Sequence, residues 1–375
     1  MNALGCAIAG IGETQYVRGS GKSTLHLAVE CSINAMRDAG LQPNDVDGII
    51  LYWLFEPLDG AEVAAGLGIP ELAWQLNIAG GGNNGAGVVA TAAAAIDAGL
   101  CRTVLCLHAI NRFSAKPDRS AGPNLLAPFG MHSAPQMFAL WAQRHMHEYG
   151  TTPEQLGAIA IACRKHASMN PRALMRKPLN MDQYLASRMI SSPLRLLDCC
   201  LETDGGAAVI VTSKERARDL RHRPVQILNG VCNAWGPAAN DGRSAEEYTS
   251  LGSRYSGPRL WQDSGVGPQD VDFAQLYDCF TITVLSQLED LGFCKKGEGG
   301  AFVENGRIEI GGELPVNTSG GHLSEGYVRT MNLLNEAVRQ LRHEYAGTPR
   351  QVAGAELGIV ASAPNPGSAL LLARI

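Results

Sequence analysis

The sequence predicts a mixed α/β protein made of two duplicated halves, with a loop domain inserted into the first half. Three observations predict this fold class. Apolar strand-like runs alternate with alanine-rich helical segments, a pattern typical of layered α/β folds. Two short motifs recur in the same order in the two parts of the chain. The stretch from residue 111 to about 192 has no counterpart in the second half.

The elements of the first half follow from the alternation of apolar and alanine-rich segments. The short apolar runs are each bounded by turn-forming residues, which is typical of buried strands. The longer alanine-rich runs have the length of helices. In chain order, the elements are a strand at 7–11, a helix at 23–39, a strand at 48–54, a helix at 85–98 and a strand at 103–108.

The duplication is seen in two pairs of matching segments. PNDVDGIILY at 43–52 matches PQDVDFAQLY at 268–277, an offset of 225 residues. NIAGG at 77–81 matches NTSGG at 317–321, an offset of 240 residues. Each motif occupies the same turn-then-strand or loop-then-helix context both times. We therefore expect two homologous halves, at about residues 1–220 and 225–375.

The inserted segment predicts where a ligand binds. It is rich in proline and carries two helical runs, at 137–149 and 153–170. Inserts of this kind usually lie over a binding site. Ligands of α/β folds collect where strands end and helices begin. The glycine-rich turns at 80–85 and 320–326 are therefore expected to face one shared pocket.

Composition excludes several classes of partner. The formal net charge of the 375 residues is −5, and no run of Lys and Arg supplies the positive charge that binding to nucleic acid or an anionic membrane requires. No apolar stretch reaches the ~18 residues that span a bilayer. Charged residues make up only 18% of the chain, which is less than is usual for a globular protein. This indicates that part of the surface is buried against other protein, as in an oligomer.

Cysteine usage and the first residues predict a cytoplasmic protein. Ten cysteines are too dilute for a disulfide framework, and no paired CxxC motifs indicate a metal site. Residues 1–12 are apolar but lack the basic residues that come before the apolar core of a secretory signal. This favours a first strand over a secretory signal. We therefore expect most cysteines to be small buried apolar residues, with no metal bound.

Four motifs, one of which is the NTSGG segment of the duplication, carry a resemblance that covers nearly the whole chain. They are RKHASMNP at 164–171, TDGGAA at 203–208, YDCF at 277–280 and NTSGG at 317–321. In this order and spacing, the chain resembles the thiolase superfamily, in its sterol-carrier-protein-X and lipid-transfer-protein-like branch. The resemblance implies a layered α-β-α-β-α core.

The chain departs from the thiolase pattern at four catalytic positions. Thiolases carry a nucleophilic Cys at a helix start, where this chain has GNNG at 82–85. The family's second Cys is missing from ASAPNPG at 361–367. Tyr277 and Tyr327 replace the family's two His residues. Thiolysis through a covalent acyl-enzyme is therefore not expected.

The two tyrosines resemble those of the steroid side-chain-cleaving aldolases, which cleave a β-hydroxyacyl-CoA by a retro-aldol reaction to a ketone and a short acyl-CoA. This reaction needs a base, an acid and donors for the thioester oxygen, but no covalent nucleophile. Tyr277 and Tyr327 are expected to supply base and acid, in an order the sequence leaves open. Because free Tyr has a pKa near ~10, the base needs a neighbouring donor or cation, and His322 is one source.

Other residues are expected to bind the substrate or support the site. The backbone amides of Gly81, Gly82 and Asn83 face the thioester oxygen, and removal of a side chain at Gly82 makes room for a bulky substrate. The second turn brings two more residues to the pocket, Gly321 and His322. Asp278 either orients Tyr277 or caps the helix that follows it.

The resemblance also implies partners. The substrate is a CoA thioester, no cofactor is held on this chain, and Arg164 and Lys165 are candidate CoA-phosphate contacts, although such charges also occur on solvated helix faces. A homodimer with a small companion of OB-fold and zinc ribbon is expected. Two alternatives stay open: a condensing enzyme that uses another Cys, and a non-catalytic subunit that binds acyl-CoA or lipid.

Overall fold

The computed structural model describes residues 5–115, 127–235 and 247–375. The first half alternates strands and helices as expected, and the predicted bounds are within three residues of those observed. Its elements are β1 (Cys6–Glu13), α1 (Thr24–Ala39), β2 (Gly48–Trp53), α2 (Gly60–Leu67), β3 (Trp74–Ala79), α3 (Gly85–Asp97) and β4 (Thr103–Asn111).

The inserted segment lies between β4 and the last strand of the first half. Its two main helices were predicted, and each begins at a capping box followed by proline. Its elements are α4 (Arg112–Ala115), α5 (Ala134–Tyr149), α6 (Pro153–Met169), α7 (Met181–Leu185), β5 (Met189–Ser191) and β6 (Leu194–Arg195). The half then ends with β7 (Asp204–Ser213) and α8 (Lys214–Arg218).

The second half repeats the plan of the first. The same 3₁₀ turn precedes the second strand of each half, at Pro43–Asp45 and at Pro268–Asp270. Its elements are β8 (Val225–Ala234), α9 (Ser253–Ser264), β9 (Phe273–Leu276), α10 (Thr281–Asp290), α11 (Gly299–Phe302), α12 (Gly321–Ser324), α13 (Met331–Arg342), β10 (Leu357–Ser362) and β11 (Gly367–Arg374).

The strands confirm the duplication. Nine of the described strands form one sheet in the order β3-β2-β4-β7-β1-β8-β11-β10-β9, in which the second half mirrors the first, and β5 and β6 form a separate two-stranded sheet. The halves meet in a short antiparallel contact, Ala7 with Gln226 and Ile8 with Val225. The counterpart of β3 is reduced to a single parallel bridge between Ala274 and Val316.

Two helices pack against the strands of both halves of the nine-stranded sheet. Helices α3 and α13 contact strands of both halves, whereas α1 contacts first-half strands and α9 contacts second-half strands. The sequence of α3, GAGVVATAAAAID, is small or apolar on nearly every face, as a helix covered on both sides must be. These contacts confirm the layered α-β-α-β-α arrangement.

Glu13, in the first half, contacts residues of the second half and of the insert. Its side chain stands at the end of β1 and is 5% exposed. Arg339 of α13 donates to it at 2.8 Å, and Arg172 of the insert lies 3.4 Å away. Tyr16 also donates to this carboxylate, at 2.7 Å. One buried carboxylate therefore joins first half, second half and insert.

The described ranges contain neither a candidate membrane span nor a candidate metal cluster. No helix in them combines the length and the apolar character that a bilayer crossing needs. Nor do they bring three His, Cys, Asp or Glu side chains together as a metal site would require.

Candidate active site

Tyr277 and Tyr327 meet although 50 residues separate them in sequence. Tyr277 directly follows β9, and Tyr327 lies in the turn between α12 and α13. Their hydroxyl oxygens are 2.7 Å apart and hydrogen-bonded, and both residues are buried, at 3% and 6% exposure. The two tyrosines that replace the family's His residues therefore form one hydrogen-bonded pair.

His322 packs against both tyrosines. Its ring centroid is 5.0 Å from that of Tyr277 and 5.1 Å from that of Tyr327, edge to face in each case. Its Nδ1 lies 3.0 Å from Asp278 Oδ1 but is poorly aligned for a hydrogen bond. Thr330 N–H donates to its Nε2 at 3.1 Å. His322 therefore lies behind the tyrosine pair and holds the two rings in position by packing against them.

Asp278 is a cap, but for a helix other than the predicted one. Its carboxylate accepts from the amides of His322 at 2.9 Å and Leu323 at 3.2 Å, at the start of α12. The helix that follows it in sequence, α10, has Phe280 at its N-cap. The expectation that Asp278 caps that helix is wrong, because the loop turns the carboxylate towards α12. Through His322 it supports the tyrosine pair.

The glycine turn after β3 faces Tyr277. The backbone N–H groups of Gly81, Gly82 and Asn83 make no hydrogen bond to another described residue, so they remain available to a thioester oxygen. Thr330 Oγ1 donates to Gly82 O at 2.9 Å and holds the turn in place. A Cβ at Gly82 would overlap the ring of Tyr277. Gly82 thus makes room for this tyrosine, which corrects the expectation that it makes room for the substrate.

The tyrosine pair and the glycine turn line one cavity of about 730 Å³. Most of its other walls are apolar and come from the insert and from the loop after β2. The lining includes Leu54, Phe55, Phe113, Phe138, Ile190, Leu196, Phe280 and Pro364. The first predicted turn, at 80–85, lines this cavity as expected. The expectation for the second turn is wrong: no residue of 320–326 lines the cavity, and Tyr327, the residue after that turn, lines it instead. Gly321 and His322 lie behind the pair and do not line the cavity.

The two predicted CoA contacts have structural partners instead. Arg164 is buried, and its guanidinium donates to Ser324 Oγ at 3.0 Å and to Lys177 O at 3.2 Å. Lys165 pairs with Glu309 on the surface. Neither residue lines the cavity. The reason is that α6 turns this face towards α12 and the loop that follows α11, so the CoA-phosphate role assigned from the sequence is not retained.

Three other arginines line the cavity and were missed by the sequence analysis. Arg18 and Arg188 are exposed, and neither forms an ion pair with another described residue. Arg112 is mostly buried, 3.7 Å from Glu202. No local motif marks them, because they come from three separate segments and converge only in the fold. They give the apolar cavity a cationic rim.

The cavity also contains three thiols, on Cys199, Cys200 and Cys279. Burial raises the pKa of Cys199 and of Cys200 to about 12, and it raises the pKa of Cys279 well above its usual value. A thiol that stays protonated is a poor nucleophile. Cys279 is buried and its thiol stays protonated, so we do not expect it to act as a nucleophile.

Burial also raises the pKa values of the two tyrosines. It raises the pKa of Tyr277 well above the usual value, and the neighbouring Tyr327, Cys279 and Cys200 raise it further. It also raises the pKa of Tyr327, but the charge of Arg329 opposes the increase. The two hydroxyls are therefore unequal, and Tyr327 is the one whose phenolate has a nearby cation.

The comparisons with known proteins agree with this geometry. A "Steroid side-chain-cleaving aldolase" of Thermomonospora curvata is 40% identical, over 98% of this chain and 97% of the relative. This chain belongs to the steroid side-chain-cleaving aldolase family of the thiolase superfamily. A "17-hydroxy-3-oxo-4-pregnene-20-carboxyl-CoA lyase" of Mycobacterium tuberculosis is 41% identical to this aldolase-family chain, over 98% of each.

Structural comparisons place the aldolase-family chain on the same scaffold. The solved "Ltp2-ChsH2(DUF35) aldolase" superposes with a TM-score of 0.92 at 40% identity, over 98% of this chain and 97% of the other. A monomeric SCP2-thiolase like protein type 1 from Mycobacterium smegmatis shares the fold alone, with a TM-score of 0.77 at 18% identity, over 100% of this chain and 78% of the other. Residues 239–370 match the model of the thiolase C-terminal domain-like family.

Proposed function

We propose that this protein cleaves a steroid-type β-hydroxyacyl-CoA by a retro-aldol reaction, releasing a ketone and a short acyl-CoA. The observation that carries the proposal is the hydrogen-bonded Tyr277–Tyr327 pair, 2.7 Å apart on the wall of a large apolar cavity. The unbonded amides of the glycine turn lie beside it. Two relatives of nearly full length, named as an aldolase and a CoA lyase, support the same chemistry.

Each group has a role in such a reaction. One tyrosine removes the proton of the β-hydroxyl, and the bond between Cα and Cβ breaks to release the ketone. The electron pair moves onto the thioester as an enolate, which the amides at residues 81–83 stabilise. The other tyrosine returns a proton to the enolate carbon. The apolar walls exclude water and strengthen these interactions.

The cysteine-dependent alternative is disfavoured by the same cavity. No side chain stands at Gly82, in the turn where thiolases carry their nucleophile, and the space there holds the ring of Tyr277. The thiols that line the cavity are held in their protonated state by burial. An acyl-enzyme is therefore not expected.

The test is product analysis on a β-hydroxyacyl-CoA with a tertiary hydroxyl, using this chain co-expressed with its companion. We expect equimolar ketone and acyl-CoA, and intact-protein mass spectrometry with no added acyl mass. A stoichiometric acyl adduct would favour the condensing enzyme. Tight binding of the acyl-CoA without any product would favour the non-catalytic subunit.

We also propose a homodimer that pairs through β3. This strand is at the edge of the sheet, and Leu76 on it is 37% exposed. An edge strand with unpaired backbone groups and an apolar side chain is a template for pairing, and a twofold axis satisfies both copies. Light scattering after size exclusion is expected to give twice the chain mass, and Leu76→Arg to give the monomer. A fully active monomeric wild type would contradict this.

A small OB-fold and zinc-ribbon companion is proposed to cover the cavity mouth. Four apolar side chains at the mouth, Leu54, Phe55, Phe113 and Leu196, are 36 to 48% exposed. Apolar surface clustered around a ligand cavity indicates a protein contact. Phe113→Asp and Leu196→Asp are expected to reduce co-purification of the companion. The remote control Ile33→Asp, at a side chain 40% exposed on α1, is expected to retain it. Equal loss in all three variants would contradict this placement.

A further inference from the structure

Arg329 stands two residues after Tyr327 in a strained stretch of backbone. Arg329 and Thr330 have φ of 45° and 82°, a left-handed region that residues with side chains seldom adopt. Three contacts hold the stretch in place. Tyr52 OH donates to Arg329 O, Thr330 Oγ1 donates to Gly82 O at 2.9 Å, and Thr330 N–H donates to His322 Nε2 at 3.1 Å. The segment is therefore fixed directly behind the active site.

The guanidinium of Arg329 is fully buried and lacks hydrogen bonds. Its Nε, Nη1 and Nη2 have no hydrogen-bond partner among the described residues. The nearest carboxylate, on Glu56, is 4.0 Å from Nη2. A buried cation without hydrogen bonds is costly to fold, so its retention needs a reason. The groups influenced by its charge or facing it are Tyr52, Phe55, Glu56, His108 and Tyr327.

Phe55 connects this cation to the cavity. The guanidinium carbon of Arg329 is 5.9 Å from the centroid of Phe55, and that of Arg112 is 5.6 Å from it. Phe55, Arg112 and Tyr327 all line the cavity. Two positive charges therefore flank one wall of the site. Both lower the pKa of Tyr327 against the effect of burial.

The surroundings of Tyr327 are cationic or neutral. The titratable groups that face it are Tyr52, Tyr277, His322, Arg329, Arg112, Cys200 and Cys279. The thiols of Cys200 and Cys279 stay protonated, and Asp278 is behind His322. For Tyr277, the largest influences are burial, Tyr327 and the two thiols, all of which disfavour its phenolate.

We propose that Arg329 is a positioning residue that sets the direction of proton transfer: its buried charge stabilises the phenolate of Tyr327, so that Tyr327 is the base and Tyr277 the acid. The proposal rests on the retro-aldol function proposed above. It explains why an arginine without hydrogen bonds is buried behind this wall of the cavity.

The proton transfers balance without a co-reactant. Tyr327 phenolate takes the proton of the β-hydroxyl, the Cα–Cβ bond breaks, and its electron pair forms the thioester enolate. Tyr277 donates its hydroxyl proton to the enolate carbon. Tyr327 then returns a proton to Tyr277 across their 2.7 Å hydrogen bond, which restores the starting state.

The first test is the pH profile of kcat/KM in the complex with the companion. The wild-type rate is expected to rise with pH as Tyr327 ionises. Arg329→Met is expected to move this rise upward by at least about one pH unit, because an opposite charge is lost. Arg329→Lys, which keeps the charge, is expected to restore the wild-type position even if its rate is lower. Arg350→Met, which removes a buried arginine remote from the cavity, is the control and is expected to leave the profile unmoved.

The second test needs no turnover. In protein labelled with ¹³C-tyrosine, the Cζ resonance of Tyr327 is assigned by its loss in Tyr327→Phe and titrated with pH in a Tyr277→Phe background. Its midpoint is expected to rise in Arg329→Met and to return in Arg329→Lys. An unmoved midpoint with a uniformly lower rate would overturn the proposal and make Arg329 structural. If the midpoint moves in Arg329→Met but the wild-type complex has no aldolase activity, the result would support the role of Arg329 and refute the proposed reaction instead.

Discussion

The ring of Tyr277 fills the space that a side chain at Gly82 would occupy. This relationship explains two departures from the thiolase pattern by one cause. A nucleophile at position 82 and a tyrosine at position 277 exclude each other sterically. The loss of the Cys and the gain of the Tyr are therefore one structural change.

Gly82→Ala is predicted to remove most of the activity. The added Cβ overlaps the Tyr277 ring, so the ring has to move and the hydrogen bond to Tyr327 is lost. We expect a fall in kcat of at least about 100-fold, since small displacements of a catalytic group have effects of this size. Gly81→Ala is the matched variant, because its Cβ would have ordinary contacts at 3.5 Å and 3.6 Å. Equal losses in both would contradict this account.

Asp278→Asn is predicted to destabilise the protein and slow catalysis. The change removes the charge opposite His322 and weakens the cap on α12. Weakening two buried hydrogen bonds to a charged carboxylate is expected to lower the free energy of unfolding by roughly 3 kcal/mol, measured by urea denaturation. Asp270→Asn, which alters an exposed cap on a 3₁₀ turn, is the control and should cost only about 1 kcal/mol.

Glu13→Gln is predicted to remove a pH-dependent part of the stability. Burial alone would raise the pKa of Glu13, but Arg339 and Arg172 outweigh it and lower the pKa from 4.5 to about 2. The stabilisation is therefore present in full above pH 4.5 and is lost as the pH falls towards 2. We expect the variant to lose roughly 3 kcal/mol of unfolding free energy at pH 7.

The measurement for this prediction is urea unfolding of both proteins as a function of pH. The difference between wild type and Glu13→Gln should shrink below pH 4.5. Glu30→Gln, which breaks a part-exposed pair with Lys22, serves as control and should cost less than about 1 kcal/mol. A difference that does not vary with pH would show that Glu13 acts through packing and not through its charge.

Arg18→Ala and Arg188→Ala are predicted to weaken binding of the CoA ester. Both guanidiniums line the cavity without an ion pair to another described residue, as free cations for phosphate groups would. We expect KM to rise several-fold with kcat nearly unchanged, and the effect to fade with added salt. Lys165→Ala should leave both parameters unaltered, because Lys165 is paired with Glu309 away from the cavity.

Much of the fold could be predicted because it depends on local patterns. The strand and helix bounds follow from the alternation of apolar and alanine-rich runs, and the duplication follows from the matching segments at 43–52 and 268–277. The tyrosine pair was predicted from a motif match. Its 2.7 Å hydrogen bond was not, since it joins two turns that meet only in the folded chain.

The wrong predictions concern the direction in which a side chain points and the contacts between residues that are distant in sequence. Nothing in the sequence around Asp278 shows that its carboxylate points to α12 instead of α10. Arg164 belongs to a familiar motif, but α6 turns its side chain inward. Arg329 has a signal in the sequence, as the one charged residue in GYVRTM at 326–331. Its isolation in a buried segment marks it as a functional candidate.

The most direct measurement of the central claim, that a tyrosine pair and not a thiol performs the chemistry, is single-turnover cleavage of the β-hydroxyacyl-CoA by rapid quench. Tyr277→Phe and Tyr327→Phe are expected to slow bond cleavage at least about 1000-fold while binding the substrate within a few-fold of wild type. The variant Cys199→Ser/Cys200→Ser/Cys279→Ser is expected to stay within about ten-fold of the wild-type rate. Loss of cleavage in the cysteine variant, with activity retained in either tyrosine variant, would contradict the account.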